Sequence, residues 1–185
     1  ELSSAESFDP DAIVAVVETQ GRTYLDLQEG QWLRFSSGTL YTEEQAPAVG
    51  DYPLGAGMYK AGTDLPVGEY ILLAEQADLE VLTDARWDGS GFPTPMDNRV
   101  YVTLRSGEYL RFTAGELLDE APEPGSGDLP QGMYKIGTDL PSGSYTLRVP
   151  PGQHGFYTVY DATTHPLLEH IVDGLSGSIT GDTEI

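Results

Sequence analysis

The chain repeats itself, and that constrains its fold more than any other feature. Gly57-Met58-Tyr59-Lys60-Ala61-Gly62-Thr63-Asp64-Leu65-Pro66-Val67-Gly68-Glu69-Tyr70 returns as Gly132-Met133-Tyr134-Lys135-Ile136-Gly137-Thr138-Asp139-Leu140-Pro141-Ser142-Gly143-Ser144-Tyr145. A second pair lies at nearly the same offset: Tyr24-Leu25-Asp26-Leu27-Gln28-Glu29-Gly30-Gln31-Trp32-Leu33-Arg34-Phe35 matches Tyr101-Val102-Thr103-Leu104-Arg105-Ser106-Gly107-Glu108-Tyr109-Leu110-Arg111-Phe112. Repetition of whole supersecondary units at a fixed period predicts a tandem array.

The period and the 185-residue length set the expected organisation. Residues 1–10 read as an acidic, Ser-rich tail or linker, and 11–56 as an incomplete N-terminal repeat plus linker. Residues 57–131 form the first full repeat with its acidic linker, and 132–185 a second repeat cut short at its C-terminus. Short runs of Val, Ile, Leu, Tyr and Thr alternate between 22 Gly and 13 Pro. That punctuation predicts an all-β fold of antiparallel, sandwich-like repeats of about 75 residues each. The unpaired edge of the truncated C-terminal repeat is an association hazard, and the strands of the N-terminal part-repeat are expected to cover it.

Two local devices carry the repeat. In Tyr24–Phe35 a three-residue loop, Gln28-Glu29-Gly30, with glycine in the left-handed position predicts a hairpin pairing Leu25 with Leu33 on one face. Tyr24, Asp26, Trp32 and Arg34 then share the other face. The second copy obeys the same rule through Arg105-Ser106-Gly107, with Val102 and Leu110 inside and Tyr101, Thr103, Tyr109 and Arg111 outside. Asp-Leu-Pro-x-Gly is the other device, at Asp64, Asp139 and Asp128; it predicts a type I turn whose Asp accepts backbone amide bonds. Tyr59 and Tyr70 flank one such turn, Tyr134 and Tyr145 the other.

The segments Thr42–Pro47 and Asp119–Gly127 are acidic Pro/Gly-containing stretches at equivalent points of the repeat, and read as linkers.

Composition excludes several functions. Nine Lys and Arg against 30 Asp and Glu leave a formal charge of −21, which opposes phosphate backbones and anionic lipid. Nucleic acid is not expected as a partner. With no cysteine there is no thiolate nucleophile, disulfide or thiolate metal site. No apolar run is long enough to span a bilayer, so direct membrane insertion is not expected. His165 and His170 lie five apart, on neither a shared helix face nor a shared strand face, and no metal site is assigned to them. No cofactor and no catalytic residue is assigned. Lys60 and Lys135, the only lysines, share one repeat position and suggest an ion pair, or a covalent crosslink that the single asparagine, Asn98, could not supply twice.

Tyr-Lys-x-Gly-Thr-Asp-Leu-Pro-x-Gly-x-Tyr followed by Tyr-Val-Thr-Leu-x-x-Gly-x-Tyr-Leu resembles a repeat of uncharacterised secreted proteins and lipoproteins of Gram-positive bacteria. The resemblance covers Met58–Phe112 and part of Met133–Val172. It implies an exported, often membrane-anchored protein and carries no assigned chemistry.

The outward aromatic set is the candidate ligand-binding surface: Tyr24, Trp32 and Arg34 in one copy, Tyr101, Tyr109 and Arg111 in the other, with Trp87 as a loop candidate. Rings beside a guanidinium on a flat sheet suit a sugar face or a partner strand. The expected function is therefore a non-enzymatic extracellular or cell-surface binding or adhesion module, with a carbohydrate or surface protein as partner. The alternatives are a structural spacer or stalk and a carboxylate-based glycoside hydrolase, the latter requiring two acids across a cleft.

Overall fold

A computed structural model describes residues 18–86, 93–124, 128–160, 171–179 and 182–184. Their regular structure is almost wholly antiparallel β-strand, and the one helical element among them is a single 3-10 turn, Glu43–Gln45. The centre is a five-stranded sheet of β1 (Gly57–Lys60), β2 (Gly68–Leu82), β3 (Thr94–Leu104), β4 (Tyr109–Phe112) and β5 (Glu116–Leu118), in the order β1-β4-β2-β3 with β5 also on β2.

Everything hangs on β2. It runs 15 residues, rich in Leu, Ile and Val, and is interrupted by an irregularity between Ala74 and Ala77. An extra residue bends and twists a strand: β3 follows β2 across the break, while the other edge of β2 takes β5 before it and β4 after it. The first half pairs Tyr70 with Val102 of β3 and Leu72 with Leu117 of β5. The second pairs Leu79 with Phe112 and Val81 with Leu110 of β4. β4 in turn takes β1, with Tyr59 opposite Leu110. Just upstream, Leu54 exchanges amide and carbonyl bonds of 2.9 and 2.8 Å with Leu117. One segment, 54–60, thus runs from β5 to β4 and links the two halves of the sheet from the far side.

The enclosed side chains form one core. Leu72, Leu104, Leu110 and Leu117 are wholly buried, and Tyr59 stacks on Phe112 with centroids 5.8 Å apart. Removing such a leucine side chain costs about 2–5 kcal/mol in comparable cores.

The hairpin expected over Tyr101–Phe112 is corrected in its pairing. Its turn forms, with Gly107 at φ +84° and the Glu108 amide on the Arg105 carbonyl. The strands then part, because β3 is taken by β2 along both of its halves, and β4 by β1 and the second half of β2. The equivalent turn at Gly30 also forms, yet residues 22–35 carry no assigned strand. The alternation holds in part: Val102 and Leu110 are buried in the core cluster and Tyr109 and Arg111 lie outside it, but Tyr101, expected to face outward, is itself buried at 4% exposure, where it meets Asp139.

The C-terminal segment contributes two further pairs: β6 (Thr146–Arg148) with β9 (Asp182–Glu184), and β7 (Gly155–Tyr160) with β8 (Ile171–Ile179). Trp87, His165 and His170 lie outside the described residues.

Candidate functional site

The two copies of Lys-x-Gly-Thr-Asp-Leu-Pro fold alike, bond for bond. The Lys60 carbonyl accepts from the amides of Thr63, Asp64 and Leu65 at 3.2, 2.8 and 3.3 Å; the Lys135 carbonyl accepts from Thr138, Asp139 and Leu140 at 3.2, 2.8 and 3.4 Å. The turn is therefore centred before the proline. The aspartate reaches backward to cap it: Lys60 N donates to Asp64 Oδ2 at 2.8 Å and Lys135 N to Asp139 Oδ2 at 2.7 Å.

Backbone capping is half of what these aspartates do. The rest of each carboxylate receives an arginine and a tyrosine from an earlier part of the chain. Tyr24 Oη donates to Asp64 Oδ2 at 2.7 Å, and Arg22 Nη2 lies 3.1 Å from Oδ1. At the second copy Tyr101 Oη sits 2.9 and 2.8 Å from the two Asp139 oxygens, with Arg99 Nη2 2.6 Å from Oδ1. Both carboxylates are 3% exposed. A charge so deeply buried is tolerable only when paired and fully hydrogen-bonded.

Each arginine is itself held on three sides. Its ring partner is two residues on, with Arg22 5.4 Å from the Tyr24 ring and Arg99 5.6 Å from Tyr101. Its backbone carbonyl takes the amide of the methionine in the repeated motif, Met58 at 2.7 Å and Met133 at 2.8 Å. Its other guanidinium nitrogen donates to a linker carbonyl, Arg22 Nη1 to Pro47 at 2.6 Å and Arg99 Nη1 to Pro122 at 3.0 Å. The segments read as linkers are thus tied down at matching prolines. The motif's leading glycine also has its reason here. A Cβ on Gly57 would stand 3.1 Å from the Arg22 carbonyl, and one on Gly132 3.0 Å from the Arg99 Cβ.

These Arg-x-Tyr···Asp clasps dock the N-terminal and C-terminal segments onto opposite ends of the central sheet. Four tyrosines stiffen the docking loops, each hydroxyl donating to the carbonyl four residues back: Tyr59 to Gly55, Tyr70 to Pro66, Tyr134 to Pro130, and Tyr145 to Pro141. The two lysines make cross-segment ion pairs, Lys60 with Glu43 and Lys135 with Glu69, both at 2.6 Å. A shallow groove of about 450 Å³ borders the second clasp, lined by Asn98, Arg99, Pro122, Pro130 and Tyr134 among others.

No family model, curated protein or solved structure matches this chain.

The aromatic set divides between clasp and surface. Tyr24 and Tyr101 are clasp members, Tyr101 buried. Tyr109 is covered edge-on by Tyr24 at 5.2 Å and topped by the Lys60 ammonium at 5.4 Å. Arg111 pairs with buried Glu80 at 2.5 Å. Trp32, at 98% exposure, and Arg34 stand in solvent. Sequence reasoning missed Arg22 and Arg99 altogether. They lie two residues before the matched stretches, at the same 77-residue spacing as Tyr24 and Tyr101, and extending the comparison by two positions would have found them. Among the described residues no cluster of three or more His, Asp or Glu is gathered as a metal site, and no helix is long and apolar enough to cross a membrane.

The clasp tyrosines are poised for an alkaline test. Burial first, and then donation to Asp64, pushes Tyr24 up from 10.0 to about 12. Burial likewise raises Tyr101, where Arg99 pulls the other way. A folded-state pKa above the unfolded one stabilises fully below the unfolded value and is lost as pH rises through the folded value. The Tyr24 clasp is therefore intact up to pH 10 and falls between 10 and about 12, and the Tyr101 clasp loses stability in the same direction above pH 10. Phenolate absorbance should show late-titrating tyrosines that ionise together with loss of protection at the Lys60 and Lys135 amides; tyrosines titrating normally with those amides still protected would contradict this.

Proposed function

We propose that this chain is a non-catalytic, extracellular structural module: tandem β-sandwich-like units joined rigidly, end to end, as a spacer or stalk of a surface protein. The observation that carries this reading is the clasp, built twice at equivalent spacing from the same residue types and bonds. A flexible tether needs no buried ion pair at its joints; a stalk that must hold its segments at a set angle does. The motif's likeness to repeats of secreted Gram-positive proteins supports a place outside the cell. The two repeated acids, which an enzyme might have used, are consumed by the joints.

Rigidity is directly measurable, and the lack of native cysteine makes labelling simple. Spin labels at Gln76→Cys and Ser142→Cys, both exposed, straddle the second joint. A narrow distance distribution that broadens in Asp139→Asn is the expected result. A broad distribution in the parent chain, unchanged by the substitution, would rule out the rigid joint.

A further inference from the structure

The second clasp leaves one donor unanswered. Arg99 gives Nη1 to the Pro122 carbonyl and Nη2 to Asp139 and Tyr101, but its Nε has no acceptor. Among the described residues this is the one buried side-chain nitrogen or oxygen without a hydrogen-bond partner. Arg22, its counterpart in the first clasp, is 22% exposed and within reach of water, whereas Arg99 is 8% exposed. A buried N–H left unmatched is costly, more so on a cation, and such an atom in a native fold calls for an acceptor from outside the chain.

Arg99 also lines the groove of about 450 Å³ beside the clasp, a volume within the range of small-molecule sites, about 300–1,000 Å³. Every residue lining it is among those described. β2 contributes Leu73 and Glu75 at the edge of its irregularity, β3 contributes Asn98, and the linker and second repeat contribute Glu123, Leu129, Tyr134 and three prolines. Asn98 pairs with Ala74 at the break and holds φ +60°, a conformation uncommon away from glycine that concentrates at ligand sites. The rings of Tyr101 and Tyr134 cover the guanidinium at 5.6 and 5.4 Å. A ligand atom therefore reaches Nε as those rings shift, which couples its entry to the clasp.

The charges present select the ligand. Asp139 already takes the charge of Arg99, the other ionised groups lining the groove are Glu75 and Glu123, and the chain carries −21. An anion is repelled. A peptide strand cannot pair with β3 at this point, because the Arg99 carbonyl is used by the Met133 amide. The groove suits a neutral ligand with hydroxyls for two carboxylates and an amide, an apolar face for a ring and prolines, and one strong acceptor. We propose that it binds an N-acylated amino sugar of a glycan. The acyl carbonyl accepts from Arg99 Nε, and its methyl packs on Leu73 and Leu129. The sugar hydroxyls donate to Glu75, Glu123 and the Asn98 side-chain oxygen, and the apolar sugar face lies on Tyr134. Such a ligand touches β2, β3, the linker and the second repeat together, so its binding tightens the joint. The proposal goes beyond the stalk reading and needs only the second clasp.

The test is a proton–nitrogen NMR titration of the full chain with N,N′-diacetylchitobiose, against cellobiose, which lacks the acyl carbonyls. The Arg99 Nε–H signal reports the contact directly. A saturable shift of that signal and slower hydrogen exchange at the Met133 amide are expected with N,N′-diacetylchitobiose. Cellobiose should bind more weakly by about ten-fold or more, because it leaves the buried donor unmatched. Glu75→Ala with Glu123→Ala should abolish the response and keep the parent's thermal unfolding, both side chains being exposed. Trp32→Ala should leave the response intact, since Trp32 does not line the groove. An Nε–H signal that does not move, as when water alone fills the groove, overturns the proposal. So does an equal response to the two sugars, or a response lost in Trp32→Ala and kept in the double variant. If neither sugar binds while the spin-label distances remain narrow, the rigid-joint reading stands and this one falls.

Discussion

Replacing Asp139 with alanine is expected to cost about 3–5 kcal/mol, the range for removing one partner of a buried ion pair. The carboxylate satisfies the Lys135 amide, the Tyr101 hydroxyl and the Arg99 guanidinium together. Its loss strands Arg99, only 8% exposed, whose Nε is already without a hydrogen-bond partner. Asp139→Asn should cost less, since the amide oxygen still accepts from Lys135 while the charge is lost. Asp64→Ala should also cost less, because Arg22 is 22% exposed and water can take over part of its solvation. Urea unfolding gives the magnitudes, and hydrogen exchange at the Met133 and Lys135 amides locates them. A drop under about 1 kcal/mol, the level of surface pairs, would show that the clasp contributes little. The pair Arg99→Met with Asp139→Leu separates charge stranding from lost contact: it should recover much of the loss.

Gly115→Ala is the second substitution expected to do serious damage, about 3 kcal/mol or more once backbone strain and overpacking are both counted. Gly115 sits in the turn between β4 and β5 at φ +97°. A Cβ there would fall 2.2 Å from the Leu73 carbonyl oxygen and 2.6 Å from the Ala74 Cβ, next to the irregularity in β2. Neither neighbour is a flexible side-chain end that could swing away. Gly38, its counterpart 77 residues earlier, has nearly the same angle, φ +96°, with nothing within 4 Å of the Cβ position. Gly38→Ala should therefore carry only the left-handed penalty, about 1–2 kcal/mol. Thermal unfolding of the two variants side by side measures the difference; equal effects would mean that crowding at Gly115 is relieved by local movement.

The in–out alternation of this chain was legible in part, and its pairing was not. Val102 and Leu110 read as inward, Tyr109 and Arg111 as outward, because a period of two depends only on neighbours along one strand. The partner of each strand depends on competition. The loop at Gly107 favours pairing Tyr101's strand with Tyr109's, but the 15-residue β2 offers each a longer or better apolar match, taking β3 along one edge and, either side of the irregularity at Ala74–Ala77, β5 and then β4 on the other. No local rule contains that outcome. The aspartates were half legible for a similar reason. A turn grammar explains the bond from Lys135 N to Asp139, which spans four residues, and is silent on Arg99, which lies forty away.

One arginine at each joint holds both the next segment's aspartate and the carbonyl of the strap that leads to it. A pull across either joint therefore reaches a short, shielded bond between guanidinium and carboxylate before it reaches the strand pairs of the central sheet. Pro122 and Met133 lie eleven positions apart in the sequence, yet both are bonded to Arg99, so the length between these two attachment points exceeds the span it bridges. If the bond parts, eleven residues at about 3.3–3.6 Å each can straighten before the load falls on the sheet. On the stalk reading, such joints would act as tension relief, letting the chain lengthen while its core stays folded.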